Sequence, residues 1–225
     1  DRYGFNNPDK EWDSEEIEFL LVGDSFVYGD CVDRPNDITS VLRSLSNKSA
    51  LNLGNRGNGP LVEYAILREY LNSNVKKILW IYYEGNDPDD LKNELQSKIL
   101  NRYLKDHSFT QNLILRQNEI NQIINKVIKN EEKKEKEKKV FRIKFINFLK
   151  LNNTRTQLNT LLPGKLQPYD VTQKLNSQEF EKILKSTKNL AVENNSKLYF
   201  VYLPSYHRYK IDFDNKDYNL IKRII

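Results

Sequence analysis

Short apolar runs, each closed by a glycine or a turn, punctuate the chain and predict strands. Ile17 to Val22 (Ile-Glu-Phe-Leu-Leu-Val) ends at Gly23, the pattern of a strand buried in a parallel sheet. Ala50 to Leu53 repeats it before Gly54, and Lys77 to Tyr83, rich in Ile, Trp and Tyr, stops at Glu84-Gly85-Asn86-Asp87. Lys197 to Leu203 makes a fourth strand. Between the runs the spacing becomes helical, over residues 37–46, from Pro60 to about Leu71, and from about Ser177 to Asn194. In the last of these Phe180, Ile183, Leu184, Thr187 and Ala191 share one side.

The lead-in Asp1 to Pro8 is polar and turn-rich and is expected to be irregular. From about Leu91 to Leu151 the pattern is helical, and Ile120, Ile123, Ile124, Val127 and Ile128 make one apolar face expected to be core. The stretch Asn130 to Lys139 is so charged that it predicts solvated helix. A breaker-rich loop runs through Pro163, Gly164 and Pro168, and a last helix begins near Asp214. Strand, helix, strand, helix, strand, helices, strand implies right-handed crossovers and a parallel sheet covered on both faces. We read the chain as one α/β domain over 1–225, with a helical insertion over about 91–176.

Composition narrows the function classes. The formal net charge of +5 comes from 36 basic residues dispersed among 31 acidic ones, with no interleaving of basic and aromatic residues, so nucleic acid is not an expected partner. No apolar run reaches the roughly 18 residues of a membrane span. The single cysteine, Cys31, excludes an internal disulfide and is expected to be a small buried residue near a loop. No motif calls for a metal or cofactor. The chain has no methionine, so we expect it to be part of a longer translation product.

The first three strands end in Gly23-Asp24-Ser25, Gly54-Asn55-Arg56-Gly57 and Gly85-Asn86-Asp87. Loops after the carboxyl ends of parallel strands line one rim, where open α/β sheets bind ligands. Acyl transfer needs a nucleophilic oxygen, a base, and donors aimed at the developing oxyanion. A serine after a strand end, a glycine that exposes its N–H and an uncharged amide supply the first and third. Asp24 and Asp87 are expected to order their turns by accepting backbone hydrogen bonds. Gly54 and Gly59 are expected to permit positive φ, and Arg56 to lie at the surface.

These blocks resemble the SGNH hydrolases, a family named after Ser, Gly, Asn and His in four separate blocks. Phe19 to Ser25 resembles the nucleophile block, Asn52 to Gly57 the glycine block and Glu84 to Asp87 the asparagine block, with Glu84 where the family usually has glycine. The resemblance covers roughly 1–90 and 177–225. It implies a flavodoxin-like three-layer α/β/α sandwich, Ser25 as nucleophile, and an oxyanion hole from the N–H groups of Ser25 and Gly57 and the side chain of Asn86. The family's fourth block, Asp-x-x-His, carries the base, and no such pair occurs in the chain. We expect that block beyond Ile225. His207, just after the fourth strand, is the candidate substitute base, whereas His107 lies in the helical stretch and is expected to face solvent or its neighbours.

The resemblance implies a serine esterase acting on O-acetyl or other short acyl esters, of a carbohydrate or similar metabolite. An O-acyltransferase with the same nucleophile and a non-catalytic binding module that kept the pocket remain open alternatives. Asp1 to Pro8 also resembles the segment after a membrane anchor in some bacterial SGNH-like proteins, so an upstream anchor and an extracytoplasmic location are expected.

Overall fold

Four strands, β1 (Ile17–Val22), β2 (Ala50–Asn52), β3 (Val75–Tyr83) and β4 (Lys197–Leu203), pair in parallel in the order β2-β1-β3-β4. The computed structural model in which they are seen describes residues 1–148, 176–209 and 216–225. Leu20 lies opposite Leu51, Leu21 opposite Leu79 and Trp80 opposite Phe200. The connections carry helices α1 (Ser25–Tyr28), α2 (Ile38–Ser46), α3 (Pro60–Tyr70), α4 (Asp87–Glu94), α5 (Lys98–Lys105), α6 (Gln117–Phe148), α7 (Ser177–Glu193) and α8 (Lys216–Ile224). No described helix is long and apolar enough to cross a membrane.

The period of two along each strand sorts side chains into two cores. Leu20, Val22, Ile78, Trp80 and Tyr82 pack with Leu61, Tyr64 and Leu67 of α3, Tyr103 of α5, Phe180 and Ile183 of α7 and Ile221 of α8. Leu21 and Ile81 turn to the opposite face, where they meet Val27 of α1 and Leu42 of α2. The protein is therefore a parallel sheet between two helical layers, the predicted α/β/α arrangement. The apolar side predicted for α7 is buried at Phe180, Ile183, Leu184, Thr187 and Ala191. With β1 paired on one side by β2 and on the other by β3, the strand order reverses beside the Gly23-Asp24-Ser25 turn.

The chain divides into two units, Asp1–Ile114 with Val171–Ile225, and Leu115–Asp170. Helices α4 and α5 pack on α3 within the first. The continuous helical reading of 91–151 is interrupted, because residues 106–116 are not helical. The core expectation for the stripe on α6 is corrected: Ile123, Ile124, Val127 and Ile128 are 51, 48, 54 and 49% exposed, and Ile120 is half-buried. Helical spacing aligns such side chains but does not supply an element to cover them. Glu131 and Lys134, in the charged stretch, are exposed and paired. The end of the predicted helix at Leu151, the loop through Pro163, Gly164 and Pro168 and the helix start near Asp214 lie outside the described residues.

The lead-in is more ordered than its polarity suggests. It leads into a 3-10 turn at Asp9–Asp13, and its Tyr3 and Phe5 gather with Trp12 of that turn around Tyr70, the Phe5 and Tyr70 rings 5.0 Å apart. Asn7 is buried; its amide donates to the Asn52 carbonyl at 2.9 Å and its oxygen accepts the Asn52 N–H at 2.7 Å and Arg43 at 2.9 Å. Asn7 thereby completes the open edge of β2 as another strand would. Removing it strands two buried backbone groups, so Asn7→Ala should lower unfolding stability by about 2–3 kcal/mol, read as a urea midpoint shift at unchanged slope. A midpoint within about 0.5 kcal/mol of the parent would contradict this role.

Candidate active site

Ser25 is the first residue of α1, immediately after the turn that leaves β1. Asp24 caps that helix, its carboxylate accepting the Phe26 N–H at 2.9 Å. The capping order is thus the reverse of what an isolated serine before a helix suggests, and Ser25 is left half-buried at the rim. Close packing fixes the turn. A β-carbon on Gly23 would fall 2.4 Å from Val27 Cγ2, and one on Gly54 would fall 2.6 Å from Val27 Cβ and 2.7 Å from the Tyr28 nitrogen. The buried Asn52 side chain donates to the Val27 carbonyl at 2.6 Å and accepts the Gly54 N–H at 2.8 Å. Gly29, at φ 83°, ends α1 after one turn.

The glycine loop meets this turn through Asn55, whose N–H donates to the Gly23 carbonyl at 3.3 Å. Gly57 has φ 71° on the exposed crest of the loop, with no heavy atom within 4 Å of the position a β-carbon would take. Gly54 and Gly59 do not have positive φ, which corrects their expected role. Both are required by close approach instead, Gly59 because its β-carbon would lie 2.6 Å from Asp90 Cβ. Arg56 is exposed, ion-paired with Asp30 and positioned over the Tyr28 ring.

Asn86 caps α4, and its amide donates to Asp90 at 2.6 Å. The Asn86 amide and the Ser25 hydroxyl also lie near enough to the Asp24 carboxyl to favour its charged form, against the burial that raises it. The side chains of Asp24, Ser25 and Asn86 therefore meet, with Asp87 buried behind them and accepting the Tyr83 N–H at 2.8 Å. Gly57 is tied to this group through Asn55 and Gly59, on either side of it in its loop. Glu84 accepts the Ser205 N–H and Arg208 Nε, each at 3.0 Å, so it clamps the end of β3 to the turn after β4. His207 lies in that turn, Tyr206–Tyr209, but its side chain is outside the described residues. His107 is exposed. Cys31 is exposed in the loop after α1, correcting the expected burial: residues 30–36 face solvent together.

Sequence reading passes over the most unusual feature of the region, a group of buried carboxyls. Glu63 on α3 and Asp87 are fully buried, and burial pushes both well above the ordinary carboxylate range, with repulsion from Asp87 and Glu94 adding to it for Glu63 and repulsion from Asp24 and Asp90 for Asp87. Burial also raises Asp24 and Asp90, and takes Glu94 up to about 7. Glu63 accepts a hydrogen bond from Trp80 Nε1. The oxygens Glu63 Oε1, Asp87 Oδ1 and Asn86 Oδ1 have no hydrogen-bond partner among the described residues. A signal was present for Glu63 alone, since it shares its helix with the apolar positions Leu61, Tyr64 and Leu67. Among the described residues no group of acidic, histidine or cysteine side chains is arranged to hold a metal ion.

No known family model matches the chain, and neither a curated protein nor a solved structure shows significant similarity to it.

An acid whose folded pKa is raised binds its proton in the fold after the unfolded chain has lost it. Stability therefore falls as pH rises between the two values, for Glu94 from 4.5 to about 7. Urea unfolding should show a loss on the order of 3 kcal/mol across that window. Glu63→Gln should reduce the loss by removing one of the buried acids. A flat profile in the parent, or equal slopes in both proteins, would contradict the shared burial.

Proposed function

We propose that this chain is the core of an SGNH-type serine esterase that hydrolyses O-acetyl or other short acyl esters through an acyl-enzyme at Ser25. The observation that carries the reading is the convergence of the Ser25 hydroxyl and the Asn86 side chain beside the Asp24 carboxyl, at the carboxyl end of a parallel sheet. These residues come from motifs about sixty positions apart, and nothing in helix capping requires their convergence. The positive φ of Gly57 supports it, because that conformation directs a loop N–H where a β-carbon would be strained.

In this reading the Ser25 oxygen attacks the ester carbonyl carbon and its proton passes to a base. The carbonyl oxygen becomes an oxyanion that receives hydrogen bonds from the N–H groups of Ser25 and Gly57 and from the Asn86 amide. Collapse expels the alcohol and leaves an acyl-serine, and water then releases the acid. The resemblance assigns the base to an Asp-x-x-His block, a pair the chain does not contain. His207, on the same rim, is the candidate within it. Phe26, 45% exposed beside Ser25 with its ring 4.5 Å from that of Tyr83, offers an apolar platform for a short acyl or alcohol group. The substrate class, a small-molecule or carbohydrate ester, and an extracytoplasmic, membrane-anchored setting belong to the same proposal.

The full-length protein should release p-nitrophenol from p-nitrophenyl acetate, and Ser25→Ala should reduce release to background. Asn86→Ala should lower kcat by about 100- to 1000-fold, the cost of one oxyanion donor. Equal rates for the parent and Ser25→Ala would overturn the assignment.

A further inference from the structure

Gly59 caps α3 without a side chain of its own to satisfy the first N–H groups of that helix. A larger residue is excluded there by Asp90 and Glu94, which approach to 2.6 and 2.9 Å of the position a β-carbon would occupy. The missing cap is supplied from α4. Glu94, 9% exposed, accepts the Gly59 N–H at 2.7 Å through Oε1 and the Leu61 N–H at 3.0 Å through Oε2. Four residues earlier on α4, Asp90 holds the Asn86 amide at 2.6 Å. Asn86, Asp90 and Glu94 recur at every fourth residue, so one face of α4 presents all three.

Resting on the hydrolase reading above, we infer that Asp90 and Glu94 are positioning residues that register two oxyanion donors against each other, Asp90 orienting the Asn86 amide and Glu94 anchoring the loop that carries Gly57. The anchor acts two residues beyond Gly57, where the loop enters α3, and leaves the crest free to face substrate. A carboxylate suits this place because it can take two diverging N–H groups at the positive end of a helix dipole. Among the described residues, the charged groups coupled to Glu94 in the electrostatics of the site are acidic: Glu63 from α3 and Asp87 and Asp90 from α4, with Asp24, beside Ser25, coupled in turn to Glu63, Asp87 and Asp90. The clamp is accordingly sensitive to protonation near neutral pH, since burial among these groups takes Glu94 up to about 7.

The test combines amide NMR with steady-state kinetics on the full-length protein, using p-nitrophenyl acetate as the probe. The Gly59 and Leu61 amide resonances should move with pH around a midpoint of about 7 in the parent and lose that transition in Glu94→Gln, which keeps the stem and one acceptor. Glu94→Ala should lower kcat by about 100-fold with KM changed less than about twofold, and Glu94→Gln by only about 10-fold. Asp90→Asn should lower kcat by about 10-fold, again at nearly constant KM. Unaltered Gly59 and Leu61 titrations in Glu94→Gln would overturn the clamp whatever the activity. Parent-like kcat in Glu94→Ala, alongside an inactive Ser25→Ala, would overturn its part in the reaction while leaving the nucleophile in place. Parent-like activity in Ser25→Ala would instead remove the hydrolase reading, and the positioning role with it, while the amide titration still reported the structural cap.

Discussion

Val27 occupies the space that β-carbons on both Gly23 and Gly54 would need, so the one-turn helix carrying Ser25 is pressed against the ends of two neighbouring strands at once. Asn52 completes the lock from below by bonding to the Val27 carbonyl and the Gly54 N–H. The rest of the rim is built outward from this contact. With α1 seated so closely, Asp24 is buried at the N-cap, and its carboxyl is within reach of both the Ser25 hydroxyl and the Asn86 amide. The parallel sheet supplies the shared edge, and the glycines supply the distances over which side chains converge.

The same seating concentrates acid. Burial raises the proton affinity of Asp24, Glu63, Asp87, Asp90 and Glu94, and repulsion from acidic neighbours adds to it for Glu63, Asp87, Asp90 and Glu94. Isolated, each would be a destabilising element in a core. Several instead accept backbone N–H groups at element ends: Asp24 from Phe26, Asp87 from Tyr83, Glu94 from Gly59 and Leu61. The acids join α1, α3 and α4 where apolar contacts alone would not fix the angle of a loop. Stability is thereby exchanged for position at the rim where the proposed chemistry would need a donor fixed in place.

The sheet and its covering helices were legible because strand and helix periods are local, and because Gly23, Gly54 and Gly85 mark strand ends. The placement of Ser25 and Asn86 at strand ends was legible for a similar reason, as each follows a predicted strand, whereas the positive φ expected at Gly54 and Gly59 lies instead at Gly57. Glu94 and Asp90 were not, since their roles depend on where α4 lies against α3, and a carboxyl on a polar helix carries no sign of that contact. Glu84 and Arg208 meet across more than one hundred residues of chain, beyond any local pattern. The stripe on α6 failed in the opposite direction, for its periodicity was real but its burial was not. Cys31 likewise shows that small size does not carry a loop residue inward.

The proposed chemistry requires Ser25 to be an activated nucleophile that faces preorganised oxyanion donors. Mass spectrometry of the full-length protein after treatment with a fluorophosphonate measures this most directly, since the reagent phosphonylates an activated serine and leaves an oxygen in the oxyanion position. The account predicts a single adduct, mapped to Ser25 and absent from Ser25→Ala. Protein that stays unmodified, or an adduct on another residue, would contradict it.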